Sequence, residues 1–382
     1  MSHGPRISWS SLEPRLNRAL GLAASRVERL VTSQPGSFPI YTVNGRWRHA
    51  GESWTEWCGG FLAGMAWILA RRSSDPEWRR RAEKLSLMLA PRRFDREVHD
   101  LGFIFLNSYR PWHQATGDPA ILEVMIEAGR TLALRFHPKG RYLRSFLAPD
   151  SLFIDIMMNV PLIFLAARET ADDALRELAR AHCRTTERVL VRADGGTAHE
   201  GIFDLETGLF LGQTTQQGVA PDSTWTRGLA WSLYGFCQVH DFTGDLADLT
   251  VAWRNADCFL ERLGPNPIPP WDFDAPPEAR FDDSSAAAIA ASGLISLAQS
   301  TRALDADRAD RYQARAVQIM DALLQDHYLA WDQPEWEGVL KHGVYHLHKN
   351  LGVDESVMWG DFFLLEAVDK LLDNPASTGQ IS

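Results

Sequence analysis

The chain has 382 residues, of which 45% are hydrophobic and 23% are charged, and its formal net charge at neutral pH is −10. These fractions are close to the globular average, so the chain can bury a large hydrophobic core. The negative charge argues against a general nucleic-acid or anionic-membrane surface, although an anionic ligand could bind in a locally basic pocket. The 14 tryptophans are the unusual feature. Indole rings stack on sugar rings but also fill ordinary cores, and composition alone does not separate these uses.

The cysteines and the N-terminal segment indicate a reducing compartment. No pair of cysteines has C-x-x-C spacing, which is typical of buried thiols rather than of a disulfide framework or a metal site. The cysteines are Cys58, Cys183, Cys237 and Cys258. The N-terminal segment lacks the apolar core of a signal peptide, and no stretch approaches the length of a membrane span. We therefore expect a cytoplasmic protein.

Helical periodicity dominates the chain and begins with an amphipathic helix at Leu12–Thr32. After it, two kinds of helix alternate, because some are apolar on nearly all sides and must be buried whereas others have a charged face. The apolar helices are predicted at Trp57–Ala70, Leu101–Trp112, Leu152–Ala167, Trp225–Val239, Ala286–Ala298 and Val357–Leu371. The amphipathic helices are predicted at Glu77–Leu89, Ala120–Phe136, Asp173–Val189, Leu246–Leu263 and Ala306–Leu324.

Short turns with an Asp or Ser N-cap connect an apolar helix to the amphipathic helix that follows it. The turns are Ser73-Ser74-Asp75-Pro76, Thr116-Gly117-Asp118-Pro119, Thr170-Ala171-Asp172, Thr243-Gly244-Asp245 and Leu304-Asp305-Ala306-Asp307. The helical hairpin recurs every ~45–75 residues, which is typical of a repeat architecture. Six hairpins with an apolar inner ring and an amphipathic outer ring predict an all-α (α/α)6 toroid, with residues 1–382 as one catalytic domain. A linear solenoid is the alternative, but it would expose one side of its apolar helices.

The long connections all lead into the start of an apolar helix. They are Pro91–Asp100, Pro138–Asp150, Val191–Ser223, Gly264–Ser284 and Asp332–Ser356. Loops longer than about 12–15 residues in a folded domain are usually functional or disordered. Since these are rich in Trp, His, Arg and Asp, we expect them to gather at one end of the ring and to form the active site there.

Two carboxylates are the first candidates for catalysis. Asp100, preceded by His99, opens a predicted inner helix, where it could be an N-cap whose carboxylate points out of the ring. Asp155 lies within an apolar run, so we expect it to be buried and its pKa to be raised toward the range of a general acid. Pro161 should bend the predicted helix close to Asp155. A purely structural Asp, bonded to a neighbouring helix end, is the alternative for position 155.

Arg227 lies between Trp225 and Trp231 at the start of another inner helix. Such an Arg either forms an ion pair inside the core or holds an anionic group beside indole faces. His199 and Gln217 add polar side chains from the longest loop. The chain shows no zinc signature, phosphate-binding loop or nucleophile elbow, so we predict no metal and no cofactor.

Taken together, these segments resemble the unsaturated glucuronyl hydrolases, glycoside hydrolase family 88, from about Trp57 to Ala367. The matching motifs are Trp57-x-x-Gly60-Phe61-x-x-Gly64-Met65-x-Trp67, His99-Asp100-Leu101-Gly102-Phe103, Ile154-Asp155-x-Met157-Met158-Asn159-x-Pro161, Trp225-x-Arg227-Gly228-x-x-Trp231, Asp283-Ser284-Ser285-Ala286-Ala287-Ala288 and Trp359-Gly360-Asp361-Phe362. The family fold is a six-hairpin toroid, which agrees with the arrangement predicted from helical periodicity.

The resemblance implies a substrate with a 4,5-unsaturated uronic acid at its non-reducing end, which the enzyme hydrates at the vinyl ether. It implies that Asp155 is the acid that protonates C4 and then the base that activates water, and that Asp100 binds ring hydroxyls and stabilises positive charge. Arg227 and Gln217 would hold the uronate. The remaining residues of the subsite would be His99, His199, Trp57, Trp225 and Trp231. We expect the partner to be an unsaturated uronyl di- or oligosaccharide, with no nucleic acid and no membrane, and the protein to be a monomer or a homodimer.

Two departures from the family pattern concern sulfated substrates. Cys58 and Gly59 stand where relatives commonly have Thr and Ser, and the loop Tyr345–Asn350 lacks the Ser-x-x-Ser-x-Lys arrangement used on sulfated sugars. Three alternatives remain: an unsaturated rhamnogalacturonyl hydrolase, a toroidal sugar 2-epimerase and a non-enzymatic sugar-binding protein. The paired Asp motifs favour the glucuronyl hydrolase. An epimerase would need paired histidines on inner helices, which are missing from the predicted ones.

Overall fold

The computed structural model describes residues 7–49 and 56–374. Within these residues the chain forms twelve α-helices, which we number in chain order. They are α1 (Trp9–Ser33), α2 (Gly59–Arg72), α3 (Pro76–Leu89), α4 (Leu101–Thr116), α5 (Pro119–Ala133), α6 (Pro161–Thr170), α7 (Asp173–Leu190), α8 (Thr226–Thr243), α9 (Leu246–Leu263), α10 (Ser284–Thr301), α11 (Ala306–Leu323) and α12 (Met358–Asp373). In this numbering every even helix is an apolar inner helix and every odd helix is an amphipathic outer one.

The even-numbered helices form a closed ring. Each packs against the next even helix, and α12 packs back against α2. At this last junction the rings of Phe61 and Phe362 lie 5.3 Å apart, and Arg72 forms an ion pair of 2.5 Å with Asp369. The first helix of the chain, α1, covers the junction from outside by packing on α12 and α2. The predicted toroid is therefore confirmed, since a linear solenoid would leave α2 and α12 apart.

The outer helices begin where the turn signals predicted. Each of the five aspartates in the connecting turns has a side-chain oxygen that accepts a hydrogen bond from a backbone amide in the first turn of its helix, which satisfies one of the amides left free there. These residues are Asp75, Asp118, Asp172, Asp245 and Asp305. The caps and the apolar inner faces together determine the hairpin repeat.

The predicted helix at Leu152–Ala167 is wrong in its first half. Residues Ser151–Phe153 form a strand, Ile154–Met158 form a 3-10 turn, and the helix α6 begins only at Pro161. Proline suits this position because its missing N–H would be unpaired in the first helical turn anyway. Pro161 therefore starts a helix rather than bending one, and Asp155 lies on the turn before it.

Short antiparallel strands lie between the helices. They are β1 (Thr42–Val43), β2 (Arg46–Trp47), β3 (Phe136–His137), β4 (Tyr142–Leu143), β5 (Ser151–Phe153), β6 (Glu200–Phe203), β7 (Phe210–Thr214), β8 (Gly343–His346) and β9 (Leu351–Glu355). They form three two-stranded hairpins and one three-stranded sheet, β5-β6-β7. Each helix within residues 7–49 and 56–374 is too short or too polar to cross a lipid bilayer.

Candidate active site

Asp100 and Asp155 meet at one end of the ring, on either side of His99. Nε2 of His99 lies 3.2 Å from Oδ2 of Asp155 and 3.4 Å from Oδ1 of Asp100. A ring nitrogen of His99 and one carboxylate oxygen from each Asp all lie within 4.8 Å of one another. The backbone amide of Phe146 donates to Nδ1 of His99 over 2.9 Å, so the proton of the neutral ring is on Nε2. His99 therefore donates to Asp155 and lies beside Asp100, and both of its ring nitrogens already have protein partners.

The carboxylate of Asp100 is free for function although the residue holds a capping position. Asp100 is the N-cap of α4, but its side chain makes no capping hydrogen bond. The residue is buried, and burial raises the pKa of Asp100 to about 6, with the charge of Asp155 also raising it and His99 opposing both. Up to about pH 6, this carboxyl group can therefore hold a proton that an exposed Asp would lose.

Asp155 has the opposite electrostatic balance, which corrects the expectation from the sequence. Burial favours its neutral form, but the hydrogen bond and charge of His99 outweigh burial and hold the pKa of Asp155 below its ordinary value. In the free protein the proton of this pair therefore rests mainly on Asp100. Oδ1 of Asp155 is buried and accepts no hydrogen bond from the described residues.

Asn159 connects the two carboxylates structurally. Its side-chain oxygen accepts from the backbone amide of Phe103 on α4 over 2.8 Å, and its amide nitrogen donates to the carbonyl of Asp155 over 3.1 Å. Gly102 makes the close approach possible, because a Cβ there would lie 2.4 Å from Cα of Asn159. The 3-10 turn of Asp155 is thus held against the helix that begins at Asp100.

Arg227 and Gln217 form a polar corner of the same cavity. The guanidinium of Arg227 lies 4.5 Å from the ring centre of Trp225 and 5.0 Å from that of Trp359. It donates to the side-chain oxygen of Gln217 over 2.6 Å. Arg227 is 2% exposed and Gln217 is 7% exposed, and both line the cavity that contains Asp155.

His199 supports this corner from behind. Its Nδ1 accepts from the backbone amides of Gln216 over 3.0 Å and of Gln217 over 3.3 Å, so the ring carries its proton on Nε2. Burial lowers the pKa of His199 to about 4, although Asp155 raises it. The ring is therefore neutral at physiological pH. Its Nε2 has no acceptor among the described residues.

Tryptophans lie both in the cavity wall and in the core. Trp57, Trp225 and Trp231 line the cavity, and Trp57 packs against Trp359 with ring centres 4.8 Å apart. Others, such as Trp78 on the outer helix α3, belong to the core. All nine residues that the sequence singled out thus lie in one cluster: seven line the cavity, His99 bridges its carboxylates and His199 bonds to the Gln217 segment.

Sequence reasoning missed several residues of the site. Phe146, Phe153 and Tyr345 complete the cavity wall. Asp283, which the sequence analysis placed in a matching motif but gave no role, forms an ion pair of 3.4 Å with Arg227. Phe146 and Tyr345 lie in long loops that were expected to form the site, so aromatic residues in those loops were the available signal. Phe153 was hidden because it fell within a predicted helix.

The comparison with known proteins agrees with this architecture. No protein-family model matches the chain. The chain is 30% identical over 363 residues to the unsaturated glucuronyl hydrolase of Bacillus sp. (strain GL1), covering 92% of this chain and 94% of that protein. It is 32% identical over 326 residues to the unsaturated chondroitin disaccharide hydrolase of Streptococcus pneumoniae (strain ATCC BAA-255 / R6), covering 82% of this chain and 81% of the relative.

Solved structures show the same relationship. A crystal structure of an unsaturated glucuronyl hydrolase specific for heparin superposes with a TM-score of 0.88 at 28% identity, over 95% of this chain and 98% of that one. A complex of a variant hydrolase with dGlcA-Glc-Rha-Glc has a TM-score of 0.86 at 29% identity, over 96% of this chain and 98% of the other. That solved hydrolase thus holds an oligosaccharide containing dGlcA. Because the sequence identity extends over most of the chain and the fold is shared, the chain belongs to the unsaturated glucuronyl hydrolases, a family of glycoside hydrolases.

Proposed function

We propose that this chain removes a 4,5-unsaturated uronic acid from the non-reducing end of lyase-generated oligosaccharides, with Asp155 as the acid and base. The supporting observation is the cluster of buried His99 and Asp100 with the partly buried Asp155, beside the polar corner of Arg227 and Gln217. One part of the cavity thus offers proton transfer, and the other offers a cation and an amide for a carboxylate. The tryptophan walls suit the apolar faces of a sugar ring.

The reaction is a hydration of the C4=C5 vinyl ether. Asp155 donates its proton to C4, and the π electrons of the double bond form the new C–H bond, leaving an oxocarbenium centre shared by C5 and the ring oxygen. A water molecule attacks C5 and gives its proton to Asp155, which restores the acid. The resulting hemiketal opens the ring and releases the neighbouring sugar. Asp100 lies close enough to stabilise the positive charge and to bond to ring hydroxyls.

Asp155 must be protonated before the first step, whereas the free protein keeps the proton mainly on Asp100. A bound uronate places another negative charge in the cavity and excludes water, and both effects raise the pKa of Asp155. The substrate therefore helps to move the shared proton to the carboxyl group that uses it. Because the two groups are this close, they titrate as a pair.

Activity is expected to fall as pH rises above the pKa of about 6 that burial gives Asp100. Below that pKa the pair holds its proton, and above it the acid is lost, so kcat/KM should decrease about tenfold per pH unit. Loss of the double bond's ultraviolet absorbance gives the rate, and thermal melting at each pH separates ionisation from unfolding. A kcat/KM that stays constant or rises between about pH 6 and 8 would contradict the assignment.

Heavy water tests the reaction class directly. Hydration predicts that the product carries deuterium at C4, because the proton that Asp155 delivers exchanges with solvent. The measurement is mass spectrometry and NMR of the released acid. Cleavage without C4 label would exclude hydration, and an epimerised but intact sugar would indicate the 2-epimerase class. Disaccharides that differ in the leaving sugar separate a glucuronyl from a rhamnogalacturonyl hydrolase.

We propose further that residues 1–382 act as one catalytic domain in the cytoplasm. Imported or internally made oligosaccharides then fit better than intact polysaccharide. Cys58 and the loop Tyr345–Asn350 offer no hydroxyl pair with a lysine for a sulfate group. In that loop, His348 donates from its ring to the carbonyl of Gly218 over 2.7 Å. These features favour unsulfated uronides over the sulfated ones.

A further inference from the structure

Both terminal nitrogens of Arg227 form their hydrogen bonds within the protein. One terminal nitrogen donates to the carbonyl of Val344 and, over 3.4 Å, to Asp283. The other donates to Gln217 over 2.6 Å and to the carbonyl of Tyr345 over 2.8 Å. Both ends of the guanidinium fork are therefore engaged, and a two-point bond to a substrate carboxylate would break contacts that are already buried.

This arrangement determines how Gln217 faces the cavity. Its side-chain oxygen accepts from Arg227, so the amide nitrogen occupies the other corner of the planar group. That nitrogen has no acceptor among the described residues, and Gln217 lines the cavity with Asp155. Reversing the amide would place its N–H groups against a guanidinium, which has no acceptor. The two amide hydrogens are thus held ready for a ligand.

Asp283 secures the arrangement from the far side of Arg227. It is the N-cap of α10, is fully buried, and accepts from Ser285 and Ala286 of the first helical turn as well as from Arg227. Trp359 donates its ring N–H to the hydroxyl of Ser285 over 3.0 Å and lies over the guanidinium. The carboxylate therefore both balances the buried charge of Arg227 and fixes its position relative to α10.

We infer that Asp283 is a positioning residue which, through Arg227, orients the amide of Gln217 so that its N–H groups bind the uronate carboxylate. The inference rests on the proposed function for the nature of the ligand. It changes the role of Arg227, whose part is to hold Gln217 and to supply partly neutralised charge rather than to grip the substrate. It also gives a purpose to the Asp283-Ser284-Ser285 and Trp359-Gly360 motifs.

The test compares two substrates, the unsaturated uronide with its free carboxylate and the methyl ester of the same sugar. Asp283→Asn and Gln217→Ala are each expected to raise KM for the unsaturated uronide about tenfold or more, with kcat changed less than about threefold. For the methyl ester of the same substrate, both variants should behave nearly as the wild type does, because the ester lacks the carboxylate. The control is Asp248→Asn, which breaks a partly buried Arg184–Asp248 contact of 2.7 Å on the outer helices. This variant should leave unchanged the ratio of the KM values for the acid and the ester.

Two further arms keep the inference falsifiable. Gln217→Glu should fold, because the new carboxylate would face Arg227. It should nevertheless lose the preference for the acid over the ester, because it would repel the substrate carboxylate. Calorimetric binding of glucuronate against glucose measures the same discrimination without turnover, so it decides the inference even if hydration of the unsaturated uronide is not observed. A wild-type acid preference in Asp283→Asn would overturn the inference. So would a Gln217→Ala variant that keeps this preference while Arg227→Lys abolishes it, because Arg227 would then bind the carboxylate directly.

Discussion

Asp155→Asn is expected to lower kcat about 1,000-fold or more, which is within the range for loss of a general acid and base. The amide has nearly the same shape as the carboxyl group, but it cannot deliver a proton to C4 or take one from water. Since His99 would still have an oxygen to bond to, the cavity should keep its geometry and KM should change little. The measurement is the rate of absorbance loss at saturating substrate, with melting temperature as the check on folding.

Asp100→Asn provides the comparison within the same cluster. It should reduce kcat less, by about 100-fold, because Asp100 stabilises charge and stores the shared proton without transferring it to carbon. It should also shift the pH profile, since the pKa of about 6 belongs to a pair that would no longer exist. Full turnover by Asp155→Asn, or equal profiles for the wild type and Asp100→Asn, would reject these roles.

Gly60→Ala is expected to lower the free energy of unfolding by about 3 kcal/mol, at the upper end for overpacking. A Cβ at Gly60 would lie 2.2 Å from the carbonyl oxygen of Phe103 and 2.6 Å from Cα of Ile104. These are backbone atoms of the neighbouring inner helix, so α2 and α4 would have to separate. Urea unfolding of the purified variant measures the loss.

Gly21→Ala is the matched control, because Gly21 is also a helical glycine, but a Cβ added there would have no neighbouring atom within 4 Å. At this position the same change should stabilise the protein by up to about 1 kcal/mol through helix propensity. If the two variants had the same stability, close packing of α2 on α4 would not be what limits the size of the side chain at position 60.

Much of this fold is readable from local patterns. The Asp caps and the alternation of apolar and charged helices are short-range signals, and the five turn-linked hairpins follow from them. The stretch around Phe153 was misassigned because an unbroken apolar run fits a buried strand and a buried helix equally well. Pairing of Phe153 with Glu200 of β6 decided the outcome, and such a partner is distant in sequence.

The electrostatics of the site were less predictable for the same reason. Burial of Asp155 could be inferred from its neighbours in sequence, but the opposing bond from His99 could not, because 56 residues separate the two. Likewise, the acceptors that occupy Arg227 include carbonyl groups of Val344 and Tyr345, which residue type does not reveal. The sequence therefore identified the participants, whereas their protonation and division of labour depended on tertiary contacts.

Because α1 packs against α12, the most N-terminal of the twelve described helices completes its contacts only after the most C-terminal of them has emerged from the ribosome. The inner helix α12 and the outer helix α1 form a pair like the helical hairpins, but no turn connects them. The ring therefore has one junction, here called the seam, that no covalent link spans. Formation of the seam depends on contacts of very large sequence separation, which slows folding. A circular permutant that joins the present termini and opens the turn at Thr243–Asp245 would move this seam to α8 and α9 and leave the catalytic mouth in place.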